Sequence, residues 1–226
     1  MKNSWLLIAV IFVIVLIDQC LKFYIKLNFS IGGGFNILGL SWAKIHFIEN
    51  KGMAFGLEFG GEIGKYILSL FRIGMVIFLA YILRGMMREK ESLGLQISFA
   101  LIIAGALGNI IDSAFYGLIF SESGTAFHSP SGIATLFPEG GGYAPFLQGK
   151  VVDMFYFPLI DSHFPEWFPF WGGERFQFFR PVFNVADSAI SIGVAMILIF
   201  HRSYFLSKDK KKSEASLAPI TSTEEE

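Results

Sequence analysis

Four stretches of the chain are almost wholly apolar and long enough, or nearly long enough, to cross a lipid bilayer. They predict transmembrane helices at about residues 5–25, 66–84, 95–120 and 182–201, because a span needs roughly 20 consecutive apolar residues. The pattern therefore predicts an all-α membrane protein with four transmembrane helices.

Basic residues indicate which helix ends face the cytoplasm. They are dense in the short connection after the second helix and in the segment after the fourth: Arg84, Arg88, Lys90, Arg202, Lys208, Lys210, Lys211 and Lys212. The positive-inside rule places such segments in the cytoplasm, so both termini are predicted to be cytoplasmic and the connections at about 26–65 and 121–181 to face outward. Residues 1–207 form a single membrane-embedded domain, and 208–226, with little apolar surface to bury, form a disordered cytoplasmic tail.

The outer connection at about 26–65 has a pattern of its own. Glycines cluster at 32–34 and 60–61 around β-prone stretches at 35–40 and 42–48. Glycine clusters beside short β-prone runs are typical of turns between strands. This segment therefore predicts a small β-element outside the membrane.

The long outer loop at about 121–181 is dense in aromatic residues. Pro165 and Pro169 are expected to interrupt any regular element there. The aromatic residues are Phe164, Trp167, Phe168, Phe170, Trp171, Phe176, Phe178 and Phe179. Such rings are enriched in the headgroup zone of a bilayer, so we interpret the loop as an aromatic belt, with a lid or guide for a lipid-attached substrate as the alternative.

Composition supports the membrane assignment and limits the possible functions. Hydrophobic residues make up 53% of the chain and charged residues 16%, with a net charge of −1, whereas soluble domains have about 25% charged residues. Without a basic stripe, binding to nucleic acid is not expected. The single cysteine, Cys20, excludes an intrachain disulfide and a multi-cysteine metal site.

Ionisable residues beside the apolar stretches are the first candidates for chemistry, since a charge at the centre of a span costs about 3 kcal/mol or more. In the predicted orientation, Asp18, Asp112 and Asp187 lie at the outer ends of their helices. Asp153 lies in the outer loop, and its apolar neighbours in 151–158 predict that it is held against the membrane surface. Four carboxylates are therefore expected at one depth.

Two of these aspartates repeat one spacing. Asn109 and Asp112 lie at i and i+3 on the third helix, and Asn184 and Asp187 do so on the fourth, so each pair shares a helix face. Two carboxylates a few ångström apart share one proton. The ionised member can activate a water while the protonated member donates to a substrate carbonyl. The set favours acid–base hydrolysis, with the individual roles left open.

Other functions have less support. The chain contains no HExxH, GxSxG or GxGD motif, and its four histidines are scattered, which argues against zinc, serine and presenilin-like proteases. A small proton-coupled transporter is the alternative, since proton relays use buried carboxylates, although no internal repeat supports it. A non-catalytic scaffold that binds a partner through its aromatic loop is a third hypothesis.

Five short motifs follow one another along the chain: Asp18-Gln19-Cys20-Leu21-Lys22, Asn50-Lys51-Gly52-Met53-Ala54-Phe55-Gly56, Gly105-Ala106-Leu107-Gly108-Asn109-Ile110-Ile111-Asp112, Val151-Val152-Asp153 and Phe183-Asn184-Val185-Ala186-Asp187. In this order they resemble the lipoprotein signal peptidases, the signal peptidase II family of bacterial inner-membrane aspartic endopeptidases. One such motif is a weak signal, whereas five in order are specific.

The resemblance implies four transmembrane helices with a small extracytoplasmic β-sheet cradle, in a bacterial inner membrane, with the active site at the outer face. It implies removal of a prolipoprotein signal peptide by cleavage before the diacylglyceryl-modified cysteine, without metal or cofactor. Asp153 and Asp187 fall on the catalytic dyad. Site-supporting positions are Asp18, Lys22, Asn50, Gly52, Gly108, Asn109, Asp112, Asn184 and Ala186. Membrane lipids and globomycin-type inhibitors are the other expected partners.

The chain departs from the family pattern in two places. Ser113 stands where the family usually has an arginine after the third-motif aspartate. Candidates to replace its charge are Arg72, Arg175 and Arg180. The stretch 113–150 is longer than the usual connection and is interpreted as an outer-face insertion. Lys22, taken by itself, is expected to extend to the membrane interface, as lysines at helix ends commonly do.

Overall fold

A computed structural model describes the part of the chain that contains residues 4–51, 61–125, 132–178, 180–202 and 204. Gly52 and most of the second motif lie outside the described residues, as does the predicted tail at 208–226. Those predictions stay predictions.

Four helices account for the apolar stretches: α1 (Ser4–Asn28), α2 (Gly61–Arg88), α3 (Leu93–Ile111) and α5 (Val185–Phe200). By length and composition, three candidate spans are confirmed within the described residues, at Ser4–Asn28, Ile63–Arg88 and Leu93–Ile119. Helix α5 is apolar but has only 16 residues. A fourth full span therefore stays a prediction.

The helical backbone of α3 continues beyond Ile111. It passes into a π-helical turn at Asp112–Tyr116 and then into the single α-helical turn α4 (Gly117–Ile119). Single π-helical turns inside helices are frequent at functional sites because they turn side chains away from the regular helical face. Here the turn begins at one of the predicted site aspartates.

A four-stranded antiparallel sheet lies beside the helix ends. Its strands are β1 (Gly34–Asn36), β2 (Lys44–Asn50), β3 (Val151–Tyr156) and β6 (Val182–Phe183), in the order β1-β2-β3-β6. The small β-element predicted for the first outer connection is confirmed. Asp153, expected within the second outer connection, lies in β3 of this sheet, and its apolar neighbours are buried residues of that strand. Its location at the membrane surface stays a prediction.

The aromatic loop also contains regular structure. Strands β4 (Ile160–His163) and β5 (Arg175–Phe178) form a two-stranded antiparallel hairpin. Pro165 and Pro169 lie in the irregular connection between the two strands, as expected for residues that interrupt regular structure. Phe164, Phe168 and Trp171 pack against one another in that connection. The belt and lid interpretations both stay predictions.

Two apolar cores hold these elements together. The first, between the helices, contains Leu7, Leu83, Met86, Leu95, Phe99, Ala100 and Ile103. The second joins the sheet to the ends of α1 and α3 and contains Ile25, Phe47, Tyr116, Phe120, Ala134, Val152 and Met154. Because α3 packs against α1, α2 and α5, it lies centrally, and the second core fixes β3 against the helix ends.

Candidate active site

The first turn of α5 fixes the position of Asp187. Asn184 is the N-cap: its side-chain oxygen accepts a hydrogen bond from the Asp187 N–H at 2.8 Å, and the Asp187 carboxylate accepts one from the Asn184 N–H at 3.3 Å. This reciprocal capping box satisfies two backbone donors at the helix start. The Asn-x-x-Asp spacing therefore has a local structural role, and it leaves the Asp187 side chain partly exposed.

Asp153 extends from β3 toward the same helix start. It is 5% exposed. One carboxylate oxygen accepts a hydrogen bond from Asn184 Nδ2 at 2.7 Å, and the other accepts one from Asn50 Nδ2 of strand β2 at 3.4 Å. Burial raises the pKa of Asp153 to about 7, and the negative charge of Asp187 is the second cause. Asp153 therefore retains a proton at pH values where an ordinary aspartate is ionised.

Asn109 of α3 joins the two aspartates through Asn184. Its Nδ2 donates to Asp187 Oδ1 at 2.9 Å, while its Oδ1 accepts from Asn184 Nδ2 at 3.2 Å and from Lys22 Nζ at 3.0 Å. A lysine ammonium group can only donate. The bond from Lys22 therefore turns the amide oxygen of Asn109 inward and its NH₂ group toward Asp187.

Lys22 is the central cation of the site. Its side chain is fully buried, and its Nζ lies 2.8 Å from Asp18 Oδ2 and 2.8 Å from Asp112 Oδ2. With Asn109, these two carboxylates provide an acceptor for each of the three ammonium hydrogens. The expectation that Lys22 extends to the membrane interface is wrong, because two buried carboxylates attract it into the protein.

Lys22 forms an ion pair with Asp112, the residue before Ser113, where the family usually has an arginine. The cation nearest to Asp112 among the described contacts is Lys22, at 2.8 Å, while Arg72, Arg175 and Arg180 stay candidates for the charge of the missing arginine. Ser113 itself donates its hydroxyl to the Asn109 carbonyl at 3.0 Å. Arg72 of α2 interacts electrostatically with Asp187, Asp112 and Asp153.

Asp18 and Asp112 hold the two elements that carry the candidate dyad. Asp18 Oδ1 accepts a hydrogen bond from the Ala186 N–H at 2.9 Å, and Asp112 Oδ2 accepts one from the Val152 N–H at 3.2 Å. Ala186 directly precedes Asp187, and Val152 directly precedes Asp153. Each supporting aspartate therefore fixes the backbone beside one member of the pair.

Two residues that the sequence reasoning did not select complete this arrangement. Gln19 Nε2 donates to Asp112 Oδ1 at 2.9 Å, and the Tyr116 hydroxyl donates to Gln19 Oε1 at 3.1 Å. The place of Gln19 inside the first motif was an available signal. Tyr116 gave none, because an aromatic residue in an apolar helix is usually part of the core.

Gly108 and Ala186 lie where α1, α3 and α5 meet, and the close approach of the helices leaves space only for small residues. A Cβ atom at Gly108 would lie 2.6 Å from Asp18 Oδ2 and 3.1 Å from the Ala186 Cβ. Ala186 is fully buried. The structure thus brings together all the predicted site residues that it describes: Asp18, Lys22, Asn50, Gly108, Asn109, Asp112, Asp153, Asn184, Ala186 and Asp187.

Three membrane-length helices, a small sheet at their ends and a carboxylate–amide cluster between them define an integral-membrane protein with a preorganised polar site. The sequence model of the signal peptidase (SPase) II family matches residues 10–202. The chain belongs to this family and is a bacterial membrane peptidase. Membership in a peptidase family favours hydrolysis over the transporter and scaffold hypotheses.

Relatives with names that describe the same activity support the assignment. The chain is 49% identical over 207 residues to a lipoprotein signal peptidase of Porphyromonas gingivalis, covering 91% of this chain and 87% of that one. It is 34% identical over 205 residues to the lipoprotein signal peptidase of Amoebophilus asiaticus, covering 89% and 80%. A solved bacterial membrane enzyme with 22% identity, covering 98% of this chain and 96% of its own, has the same fold at a TM-score of 0.54.

Gly108→Ala is expected to lower kcat about tenfold by displacing the Asp18 carboxylate from Lys22 and from the Ala186 N–H, since small displacements of positioning groups have large kinetic costs. Gly74→Ala on α2 is the matched control, because no atom of the described residues, apart from the adjoining backbone of its own helix, lies within 4 Å of its added Cβ atom. Peptidase kinetics and thermal unfolding of both variants would check this. Equal kcat values for Gly108→Ala and the wild type would contradict it.

Proposed function

We propose that this peptidase is an aspartic endopeptidase that removes signal peptides from prolipoproteins, cleaving before the diacylglyceryl-modified cysteine. The observation that carries the proposal is the pair Asp153 and Asp187, joined through Asn184 and Asn109. The substrate class comes from the relatives named lipoprotein signal peptidase. Family membership shows that the chain is a peptidase, and the paired carboxylates support the aspartic chemistry that we propose.

The environments of the two carboxylates differ, and this difference supports separate roles. Asp153 is buried and has a raised pKa, so it holds the shared proton. Asp187 is partly exposed and acts as the base. It takes a proton from a water that attacks the scissile carbonyl carbon, while Asp153 protonates the carbonyl oxygen. Asp187 then donates the proton it took from water to the amide nitrogen, and Asp153 takes a proton back from a hydroxyl of the tetrahedral intermediate. The C–N bond breaks, and both products leave without a covalent enzyme intermediate.

A location at the outer face of the inner membrane suits this substrate. The site lies at the ends of α1 and α3 that face the sheet, whereas Arg84, Arg88 and Lys90 lie at or beyond the far end of α2. With the basic end in the cytoplasm, both termini are cytoplasmic. The diacylglyceryl chains then remain among the membrane lipids while the scissile bond reaches the aspartates. Globomycin-type inhibitors would bind across the same pair.

The test compares one prolipoprotein precursor with and without its diacylglyceryl group, incubated with the purified protein in lipid nanodiscs. We expect a single cut immediately before the modified cysteine, located by mass spectrometry. We expect the unmodified precursor to react at least about tenfold more slowly, because the acyl chains supply binding energy. Equal rates, or a cut at another bond, would contradict the proposed specificity.

The rate of cleavage is expected to fall as the pH rises through about 7. The reason is that Asp153, with its pKa raised to about 7, loses above that value the proton that it must donate. The hydrogen bond from Asn50 stabilises the ionised form of Asp153 and lowers its pKa. Asn50→Ala should therefore move the alkaline limb of the kcat profile to higher pH. A wild-type profile that stays flat to about pH 9 would exclude this role for Asp153.

A further inference from the structure

We propose that Lys26, Glu49 and Ser123 are positioning residues. They form a buried ionic cluster that holds strands β2 and β3, and with them Asp153, on helix α1. The proposal rests on the proposed function, because it takes Asp153 as the catalytic group whose position matters.

The cluster is separate from the Lys22 site and is equally enclosed. The Lys26 side chain is fully buried, and its ammonium group forms an ion pair with the Glu49 carboxylate, which is 3% exposed. Ser123 Oγ donates to Glu49 Oε1 at 2.8 Å and accepts from Lys26 Nζ at 2.9 Å. A buried ion pair needs such additional hydrogen bonds to offset the loss of hydration.

Helix α1 carries both clusters on one face. Asp18, Lys22 and Lys26 follow one another at i, i+4 and i+8, and all three side chains are buried. Two lysines one turn apart repel each other, and this repulsion is offset when each lysine has its own carboxylate partner. Lys22 has Asp18 and Asp112, and Lys26 has Glu49. This face of α1 therefore holds both the residues that support Asp153 and Asp187 and the sheet.

Glu49 links this cluster to Asp153 along two routes. It directly precedes Asn50, whose Nδ2 donates to Asp153 at 3.4 Å. It also lies opposite Val152 in the β2–β3 ladder, next to Asp153. Its second carboxylate oxygen lies 3.3 Å from the Nζ of Lys150, the residue before β3. Movement of Glu49 would therefore displace both the strand that carries Asp153 and the amide that binds it.

The segment interpreted as an insertion encloses the ion pair. The Lys26 ammonium lies 5.3 Å from the Phe120 ring and 5.1 Å from the Tyr143 ring, at distances that favour cation–π attraction. The Tyr143 hydroxyl accepts a hydrogen bond from the Lys150 N–H at 2.6 Å. With Ser123, these residues keep water from the cluster. We thus assign the described part of this segment a role in positioning β3.

A double-mutant cycle on Lys26 and Glu49 tests the proposal. Lys26→Met and Glu49→Leu should each lower kcat about tenfold or more per folded protein, with KM within about twofold, because each leaves a buried charge that shifts β2 and β3. The double variant should recover most of kcat, so that the effects are not additive. Glu122→Gln is the control, since Glu122 binds Lys150 from the exposed side and its loss should leave kcat unchanged.

A milder variant keeps the test decisive if a single charge deletion does not fold. Ser123→Ala retains the ion pair and should lower kcat about threefold through the lost hydrogen bond. Wild-type kcat in the folded single variants, or additive losses in the double variant, would overturn the proposal. Asp153→Asn is measured in parallel. If it stays active, the proposed function fails; if it is inactive while Lys26→Met keeps its kcat, only the positioning role fails.

Discussion

Asp153→Asn and Asp187→Asn are each expected to lower kcat by about 1,000-fold or more, since general acid and base catalysis by positioned groups contributes effects of this size. An asparagine side chain neither takes a proton from water nor supplies one to a carbonyl oxygen near neutral pH. Substitution of Asp187 therefore removes the group that takes a proton from water, and substitution of Asp153 removes the group that protonates the carbonyl oxygen. The remaining carboxylate cannot perform both steps.

The fold is expected to survive both substitutions. At position 187 an asparagine keeps one side-chain oxygen for the hydrogen bond from either the Asn184 N–H or the Asn109 amide, which Asp187 now accepts on its two oxygens. Loss of one capping interaction costs about 1 kcal/mol. At position 153 the new side chain likewise keeps one acceptor for Asn184 or Asn50. Activity and stability should therefore separate.

Cleavage of the diacylated precursor, together with thermal unfolding in the same detergent, measures this separation. Glu139→Gln is the matched control, because it removes one carboxylate at an exposed position. Its kcat and unfolding temperature should match those of the wild type. Substantial cleavage by Asp153→Asn or Asp187→Asn would disprove the dyad assignment.

The helical part of the site was predictable because its geometry is local. A spacing of three residues places Asn184 and Asp187 on one face of any helix, whatever packs against it. The same holds for Asn109 and Asp112. The predicted direction of each apolar stretch then placed these residues at one depth, and in the structure the two pairs are joined by the hydrogen bonds of Asn109 with Asn184 and Asp187.

The strand part was not predictable in the same way. The apolar run around Asp153 has no alternation of buried and exposed positions, so a doubly covered strand could not be told from a loop held at a membrane surface. One of its two neighbours in the sheet is β2, about a hundred residues earlier, where Glu49 lies opposite Val152. No local pattern reports a pairing over that separation.

The buried cations show where rules for single residues fail. Taken singly, Lys22 and Lys26 near the end of an apolar helix suggest side chains that extend to the membrane interface. That interpretation ignores the spacing that places both lysines on the same helix face as Asp18. The spacing i, i+4, i+8 was a sign of a continuous polar face. The carboxylates that hold the lysines inside, Asp112 and Glu49, come from distant segments and could not be paired with them from spacing alone.

Lys22→Met is expected to destabilise the folded protein by about 3–5 kcal/mol, the usual result of removing one partner from a buried ion pair. Asp18 and Asp112 would both keep fully buried carboxylates without their cation. The Asn109 amide oxygen would lose the donor that orients it. We therefore expect both a large drop in unfolding temperature and a loss of cleavage.

A triple variant distinguishes the two consequences. Asp18→Asn and Asp112→Asn, added to Lys22→Met, remove the uncompensated charges and keep an oxygen for the Ala186 and Val152 N–H groups. Much of the lost stability should return. Cleavage should stay low, because the Asn109 amide oxygen then keeps only the longer hydrogen bond from Asn184 Nδ2 at 3.2 Å and loses the charged donor that helps to direct its NH₂ group toward Asp187.

Thermal unfolding in detergent and cleavage rates for the single and triple variants test this expectation, with Arg84→Met as the control for loss of an exposed cation. An unfolding temperature for Lys22→Met close to that of the wild type would show that Lys22 does not neutralise the two aspartates. Wild-type cleavage by the triple variant would instead show that Asn109 finds its orientation without Lys22. The two measurements therefore examine separately the charge that Lys22 supplies and the direction that it gives to the amide beside Asp187.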